Sequence, residues 1–101
     1  MYKFIDVYKL LNDTKKFKVV FLNLKTGKEK ILKFGAKGYQ HYTEGHLDDK
    51  RRELYETRHK KNENWNDPLT AGYWSYWYLW KFKTYKEAIN YIKKDLIKKN
   101  I

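Results

Sequence analysis

The first third of the chain alternates between apolar and polar residues, and this pattern restricts its fold more than any other feature. Period-two alternation is typical of a strand with one buried face. It recurs in residues 2 to 11, 16 to 24 and 28 to 35, with turn signals between them at Asn12-Asp13 and Thr26-Gly27. The pattern therefore predicts a three-stranded antiparallel β-meander.

The length of the second turn sets the register of the hairpin around it. A two-residue loop at Thr26-Gly27 places Phe21 opposite Leu32 and Val19 opposite Phe34. Alternate residues share a face, so the sequence predicts this core-facing set: Phe17, Val19, Phe21, Leu32 and Phe34. We expect the opposite face to be at most half covered, because lysines interrupt its apolar residues.

Helix signals replace the alternation after residue 35. Gly35 and Gly38 suit a chain reversal that needs positive φ. Asp48 or Asp49 can then cap a mostly solvent-facing helix that ends near Lys61.

The firmest helix signal lies near the C-terminus. Thr84 and Glu87 form a capping box ahead of an apolar helical stripe on residues 85 to 99. Another short helix is predicted within the aromatic stretch from 70 to 82. Together these elements predict an α+β fold, in which a three-stranded antiparallel β-meander precedes two or three α-helices and the C-terminal helix packs on the sheet.

The chain has 101 residues, of which 42% are hydrophobic, so it can bury one core and is too apolar to stay disordered. We therefore expect a single basic domain over residues 1–101. Cysteine is absent, which excludes disulfides and thiolate metal sites. No stretch approaches the ~20 apolar residues of a membrane-spanning helix, so we expect no membrane span.

The formal net charge of +11 lies at the two ends of the chain. Residues 1–43 carry ten lysines and three acidic residues, and residues 68–101 carry seven lysines and two acidic residues. The segment between them is close to neutral. A field of this size attracts polyanions.

Lysines concentrated at the ends of the predicted strands and in the last helix are the candidate polyanion-binding residues: Lys15, Lys16, Lys18, Lys25, Lys28, Lys30, Lys33, Lys37, Lys93, Lys94, Lys98 and Lys99. A binding role is not the sole physical reason for so many lysines. Only three of the 23 basic residues are arginine, which fits an AT-rich coding sequence, and lysines on strand edges also prevent sheets from pairing. The chain matches no named nucleic-acid-binding motif.

The aromatic stretch allows three interpretations. Its rings can form the core over the sheet, a subunit interface, or a stacking surface for single-stranded bases. The spacing by three of Trp74, Trp77 and Trp80 favours one side of a short helix.

The residues offer little support for an enzyme. His41, His46 and His59 have no metal-ligand spacing, although Asp48 and Asp49 lie near them. The only candidate nucleophiles are Ser75 and scattered threonines, and Ser75 lacks the flanking glycines of a nucleophile elbow. We predict a non-enzymatic protein without cofactor or metal, with a His-dependent nuclease as the least implausible enzyme.

From Lys33 to Trp80 a set of residues carries a family resemblance: Phe34-Gly35, Gly38-Tyr39, Tyr42-Thr43, His46, Arg52, Tyr55, Arg58-His59, Glu63, Trp65, Thr70-Ala71-Gly72, Ser75 and Leu79-Trp80. The chain here resembles a family of short uncharacterised proteins of large nucleocytoplasmic DNA viruses. The resemblance implies a viral origin and brings no catalytic residues. Since the middle of the chain is nearly neutral, we interpret these residues as an interface or core framework: Arg58, His59, Glu63, Trp65, Trp74, Trp77 and Trp80.

A small basic viral protein has two natural roles. We favour a virion component, either a minor capsid protein or an internal core protein, whose partners are acidic protein surfaces or other virion proteins. The alternative is sequence-nonspecific binding of DNA or RNA in the infected cell. The expected location is the virion or the host cytoplasm, and the oligomeric state stays open.

Overall fold

Three antiparallel strands form a sheet in the order β1-β2-β3, and helices follow it along the chain. The computed structural model describes residues 1–101, apart from the side chain of Glu44. The strands are β1 (Tyr2–Lys9), β2 (Lys15–Asn23) and β3 (Glu29–Ala36). The helical segments are π1 (Tyr42–His46), α1 (Asp49–His59), α2 (Ala71–Trp74), π2 (Ser75–Trp80) and α3 (Tyr85–Lys98). The predicted α+β order of elements is confirmed.

The register of the β2–β3 hairpin differs by two residues from the predicted one. Val19 pairs with Leu32, and the loop has four residues because the amide of Asn23 donates to the Lys28 carbonyl at 2.8 Å. A shift of two leaves every side chain on its predicted face, because side chains alternate with a period of two. The predicted core-facing set is therefore confirmed, with Leu32 partly buried and the other four buried.

The core lies between the inner face of the sheet and the helices. Trp74 is completely buried there, with its ring stacked on Phe4 at 5.8 Å and at 6.0 Å from that of Phe34. Ile92 and Leu96 of α3 join the same cluster, so the C-terminal helix packs on this side of the sheet as predicted.

The predicted alignment of Trp74, Trp77 and Trp80 along one side of a helix is wrong. Trp74 faces the core, whereas Trp77 stacks on Tyr91 at 4.5 Å and Trp80 stacks on Tyr55 at 4.3 Å. The reason is the π-helical geometry of π2, shown by the bond from the Lys81 amide to the Tyr76 carbonyl at 2.9 Å. Because a π-helix closes i→i+5 bonds, its wider turn separates side chains three residues apart.

The predicted helix starts are confirmed. The side chain of Asp48 accepts from the amides of Lys50 and Arg51, and Thr84 accepts from the amide of Glu87 at 3.2 Å. Gly35 and Gly38 have φ values of 80° and 93°, so the chain reverses with the positive φ that the sequence predicts. Throughout the described residues, the helices are too short or too polar to cross a membrane.

Candidate functional site

A groove of ≈ 590 Å³ opens beside the free edge of β3. β3 is an edge strand, so one side of its backbone has no neighbouring strand. The other walls come from the loop after β3, from α1 and from π2. Its lining includes many residues on which the family resemblance rests, among them Gly35, Tyr39 and Tyr55.

One face of α1 forms a cationic wall of the groove. Arg51, Leu54, Tyr55 and Arg58 all line it, because residues three, four and seven apart share a helix face. Among the described residues, neither Arg51 nor Arg58 forms a hydrogen bond or an ion pair through its side chain. By contrast, Arg52 points away, lies over the Tyr42 ring at 4.8 Å and donates to the Lys81 carbonyl. All three arginines of the chain therefore lie on α1, and two of them face the groove.

Three stacked rings support this wall from within. Tyr55 packs against Trp80 at 4.3 Å and 8° on one side and against His59 at 4.2 Å and 25° on the other. His59 Nδ1 donates to Glu63 Oε2 at 2.9 Å. Since an ionised carboxylate only accepts, Nδ1 carries the proton and Nε2 is left for another partner.

Among the described residues, the single carboxylate of the groove lining belongs to Glu63. Its second oxygen, Oε1, accepts from Trp65 Nε1 at 3.0 Å, and the Trp65 ring stacks on Tyr76 at 3.8 Å. Gly72 lies against the same side chain, where an added Cβ would be 3.2 Å from Oε1. Both oxygens of Glu63 are thus used within the protein, and this leaves the lysines and arginines around it to face the groove.

The framework predicted from the sequence is only partly an internal one. His59, Glu63, Trp65 and Trp80 make the contacts above. Trp74 and Trp77 donate through Nε1 to the carbonyls of Pro68 and Trp65. Arg58 differs, because it is exposed at the rim of the groove. Exposure at the rim leaves Arg58 accessible to a partner, so its predicted role in an interface or core framework stays a prediction.

A hydrogen bond between the buried His41 and the half-buried Lys16 holds the loop wall in place. Lys16 Nζ donates to the Tyr39 carbonyl and, at 2.9 Å, to His41 Nδ1. Burial, together with the charges of Lys16 and His46, lowers the pKa of His41 to about 4. Burial lowers the pKa of Lys16 as well. His41 is therefore neutral at pH 7 and accepts a hydrogen bond from β2.

This pair predicts a loss of stability in mild acid. The pKa of His41 is depressed on folding, so its contribution is present above pH ~6.5 and is lost as the pH falls toward about 4. We expect the free energy of unfolding to fall in this window with a slope of up to about 1.4 kcal/mol per pH unit. Urea unfolding of the His41→Gln variant between pH 4 and 7 should give a flatter profile. Equal slopes for the two proteins would contradict this role of His41.

The structure brings some of the predicted lysines to the groove. Lys15 and Lys33 line its β3 side, although Lys33 also pairs with Asp13 at 2.7 Å. Lys37 donates to the Leu11 carbonyl nearby. The remaining hairpin lysines lie elsewhere on the sheet or at the far turn: Lys18, Lys25, Lys28 and Lys30.

The C-terminal lysines form a separate group. Lys93, Lys94 and Lys98 are exposed on α3, on turns of the helix that face away from its buried residues. Lys99 bonds to Asp95 at 2.6 Å.

Sequence analysis did not identify Arg51 as a groove residue. It also did not predict that Tyr55 and Trp80 stack on each other in the groove lining. A signal was present, because Arg51 and Arg58 are two helical turns apart in a chain with few arginines. Within the described residues, no group of three or more His, Cys, Asp or Glu side chains is placed to hold a metal ion.

Comparison with known proteins gives one match. The model of a family of unknown function, DUF5754, matches residues 5–59, which is more than half of the chain. The matched part includes Arg51, Arg58 and His59 and ends before Glu63. No curated protein and no solved structure matches the chain.

Proposed function

Because the chain belongs to a family of unknown function, DUF5754, its role has to come from its own residues, and we propose that it binds an acidic partner through the groove. In this proposal the protein is small, basic, structural and non-enzymatic. Its more specific form makes it a virion component of a large DNA virus, either a minor capsid or an internal core protein. The resemblance over Lys33 to Trp80 supports that origin.

One observation carries the proposal: cations from two separate elements converge on the groove. Lys15 of β2 lines it together with Arg51 and Arg58 of α1, whereas the ammonium group of Lys33, which also contributes to the lining, is held by Asp13 at 2.7 Å. Clefts lined by charges of one sign focus the field and raise the local concentration of oppositely charged partners. Glu63, the one carboxylate among the described lining residues, offsets only one of these charges, so the lining keeps a net positive charge.

The arginines also favour the alternative role, sequence-nonspecific binding of nucleic acid in the infected cell. Guanidinium groups present a planar fork that matches phosphate, and they are less strongly hydrated than ammonium groups. Arg51 and Arg58 are exposed without an acidic partner among the described residues, so they can meet backbone phosphates directly. Such contacts give affinity without reading sequence.

Salt dependence separates a charge-driven partner from any other. If three or four phosphates are neutralised, affinity for single-stranded DNA or RNA should fall about 20- to 50-fold between 50 and 200 mM salt. Fluorescence anisotropy with labelled DNA, RNA and polyglutamate, each at both salt concentrations, measures this directly. Affinity that is unchanged by salt for all three would contradict the proposal.

The virion role has its own test. Mass spectrometry of purified virus particles should find the protein at a defined copy number. Its absence from particles, together with its presence in infected cells, would leave the nucleic-acid-binding role in its place.

A further inference from the structure

We propose that the groove is a site for one nucleotide unit, with its phosphate at the arginines of α1 and its base against the exposed aromatic side of the groove. This inference rests on the proposed function, because it identifies the anionic group that the groove accepts. It adds a requirement that general attraction of polyanions does not have: one phosphate and one planar ring bind together.

The phosphate end is defined by Arg51 and Arg58. On an α-helix, residues seven apart are separated by about 10 Å along the axis, a span that two long side chains can close around one phosphate. Their guanidinium groups recognise a tetrahedral anion by hydrogen bonds as well as by charge.

The base end is defined by large apolar side chains that the fold does not bury. Tyr39, on the loop wall, is 70% exposed, and Leu54, on the α1 wall, is 57% exposed. Both line the groove together with Tyr55 and Trp80. A planar ring placed against Tyr39 would cover apolar surface that faces water in the free protein, and aromatic stacking of this kind is tolerant of base identity.

Size and charge both fit a nucleotide better than a bare anion. The groove volume of ≈ 590 Å³ lies in the range of sites for small organic ligands and greatly exceeds what a phosphate ion fills. Among the described residues, the cations Lys15, Lys33, Arg51 and Arg58 and the carboxylate of Glu63 line it; because Asp13 pairs with Lys33, the remaining formal charge is +2 when the histidines are neutral. That balance suits a dianionic phosphate ester.

The ligand has two sources, a free mononucleotide or one residue of a single strand, and calorimetry on the full chain distinguishes them. AMP, inorganic phosphate, a short oligothymidylate and a Glu-rich peptide are titrated at 50 mM salt. We expect AMP or the oligonucleotide to bind at least tenfold more tightly than inorganic phosphate. Tighter binding by AMP identifies a free nucleotide, and tighter binding by the oligonucleotide identifies a strand.

Variants of three groove residues test whether the ligand binds in the groove. Arg51→Gln and Arg58→Gln should each weaken nucleotide binding at least tenfold, and Tyr39→Ala should weaken it about tenfold without changing the affinity for inorganic phosphate. All three side chains are exposed, so folding should be preserved, as circular dichroism can verify. The matched control is the double variant Lys83→Gln with Lys86→Gln, which removes two exposed charges outside the groove lining and should bind like the wild type.

Several outcomes would overturn the inference. Full nucleotide affinity in the arginine variants would place the site elsewhere. Equal affinity for AMP and inorganic phosphate would show that the base makes no contact with the groove. Binding of the Glu-rich peptide alone would identify an acidic protein as the partner. If the protein binds polyanions in a salt-dependent way but binds neither AMP nor the oligonucleotide in the groove, only this inference is contradicted. If it shows no salt-dependent binding at all, the proposed function is contradicted as well.

Discussion

Trp74→Ala is expected to lower the free energy of unfolding by about 3–5 kcal/mol, the range for removing a fully buried tryptophan. The indole has no solvent exposure, and it contacts Phe4, Phe21 and Phe34 from all three strands. Its Nε1 also donates to the Pro68 carbonyl at 2.8 Å. The variant therefore loses packing between sheet and helices and leaves a buried carbonyl without its donor.

Urea denaturation followed by far-UV circular dichroism measures this loss. Because domains of this size have only ~5–15 kcal/mol of stability, the variant should be partly unfolded near 37 °C. Ile97→Ala is the matched control, since Ile97 is 73% exposed on α3 and its truncation should change stability by less than about 0.5 kcal/mol. A loss below 1 kcal/mol for Trp74→Ala would mean that Trp74 does not join the two layers.

Gly35→Ala is expected to lower the free energy of unfolding by about 2–4 kcal/mol, from backbone strain and a steric clash. Gly35 has a φ of +80°, and an added Cβ would lie 2.9 Å from Leu79 Cδ1. Leu79 is completely buried, so its side chain has little room to move. The clash would push apart the end of β3 and π2, two elements that both line the groove.

Gly27→Ala separates strain from clash. Gly27 has a similar φ of +73° but no atom within 4 Å of an added Cβ. We expect this variant to lose only the strain energy, about 1–2 kcal/mol, by the same denaturation measurement. If both variants lost the same free energy of unfolding, the close approach of Gly35 to Leu79 would not contribute to the cost of the Gly35→Ala substitution.

The sheet was predictable because its signal is local and repetitive. Alternation assigned the core face correctly even though the loop between β2 and β3 has four residues, because an error of two positions does not change the face. The caps at Asp48 and Thr84 were readable for the same reason, since each capping side chain bonds to an amide two or three residues away.

The π-helical segments and the groove were not predictable. An apolar pattern does not distinguish i→i+4 from i→i+5 hydrogen bonding. The sequence therefore could not predict the directions in which Trp77 and Trp80 point. The groove draws its cations from β2, β3 and α1, and Glu63, the only carboxylate among its described lining residues, comes from the connection after α1. Residues so far apart in sequence have no shared pattern until the chain folds.

The structure also divides the basic charge into parts with different surroundings. The α3 lysines Lys93, Lys94 and Lys98 lie on the solvent side of a helix, away from the groove. Lysines on such a surface favour solubility and nonspecific attraction. The groove differs because its cations converge and because exposed apolar groups lie beside them.

The measurement that tests the central claim most directly is a two-dimensional ¹H–¹⁵N NMR titration of the protein with a short single-stranded oligonucleotide. Binding in the groove predicts that amide shifts change mainly at Gly35 to His41, at Arg51 to His59 and around Gly72 to Ser75. Changes confined to the α3 lysines, with the groove amides unmoved, would contradict it and would assign binding to surface charge alone.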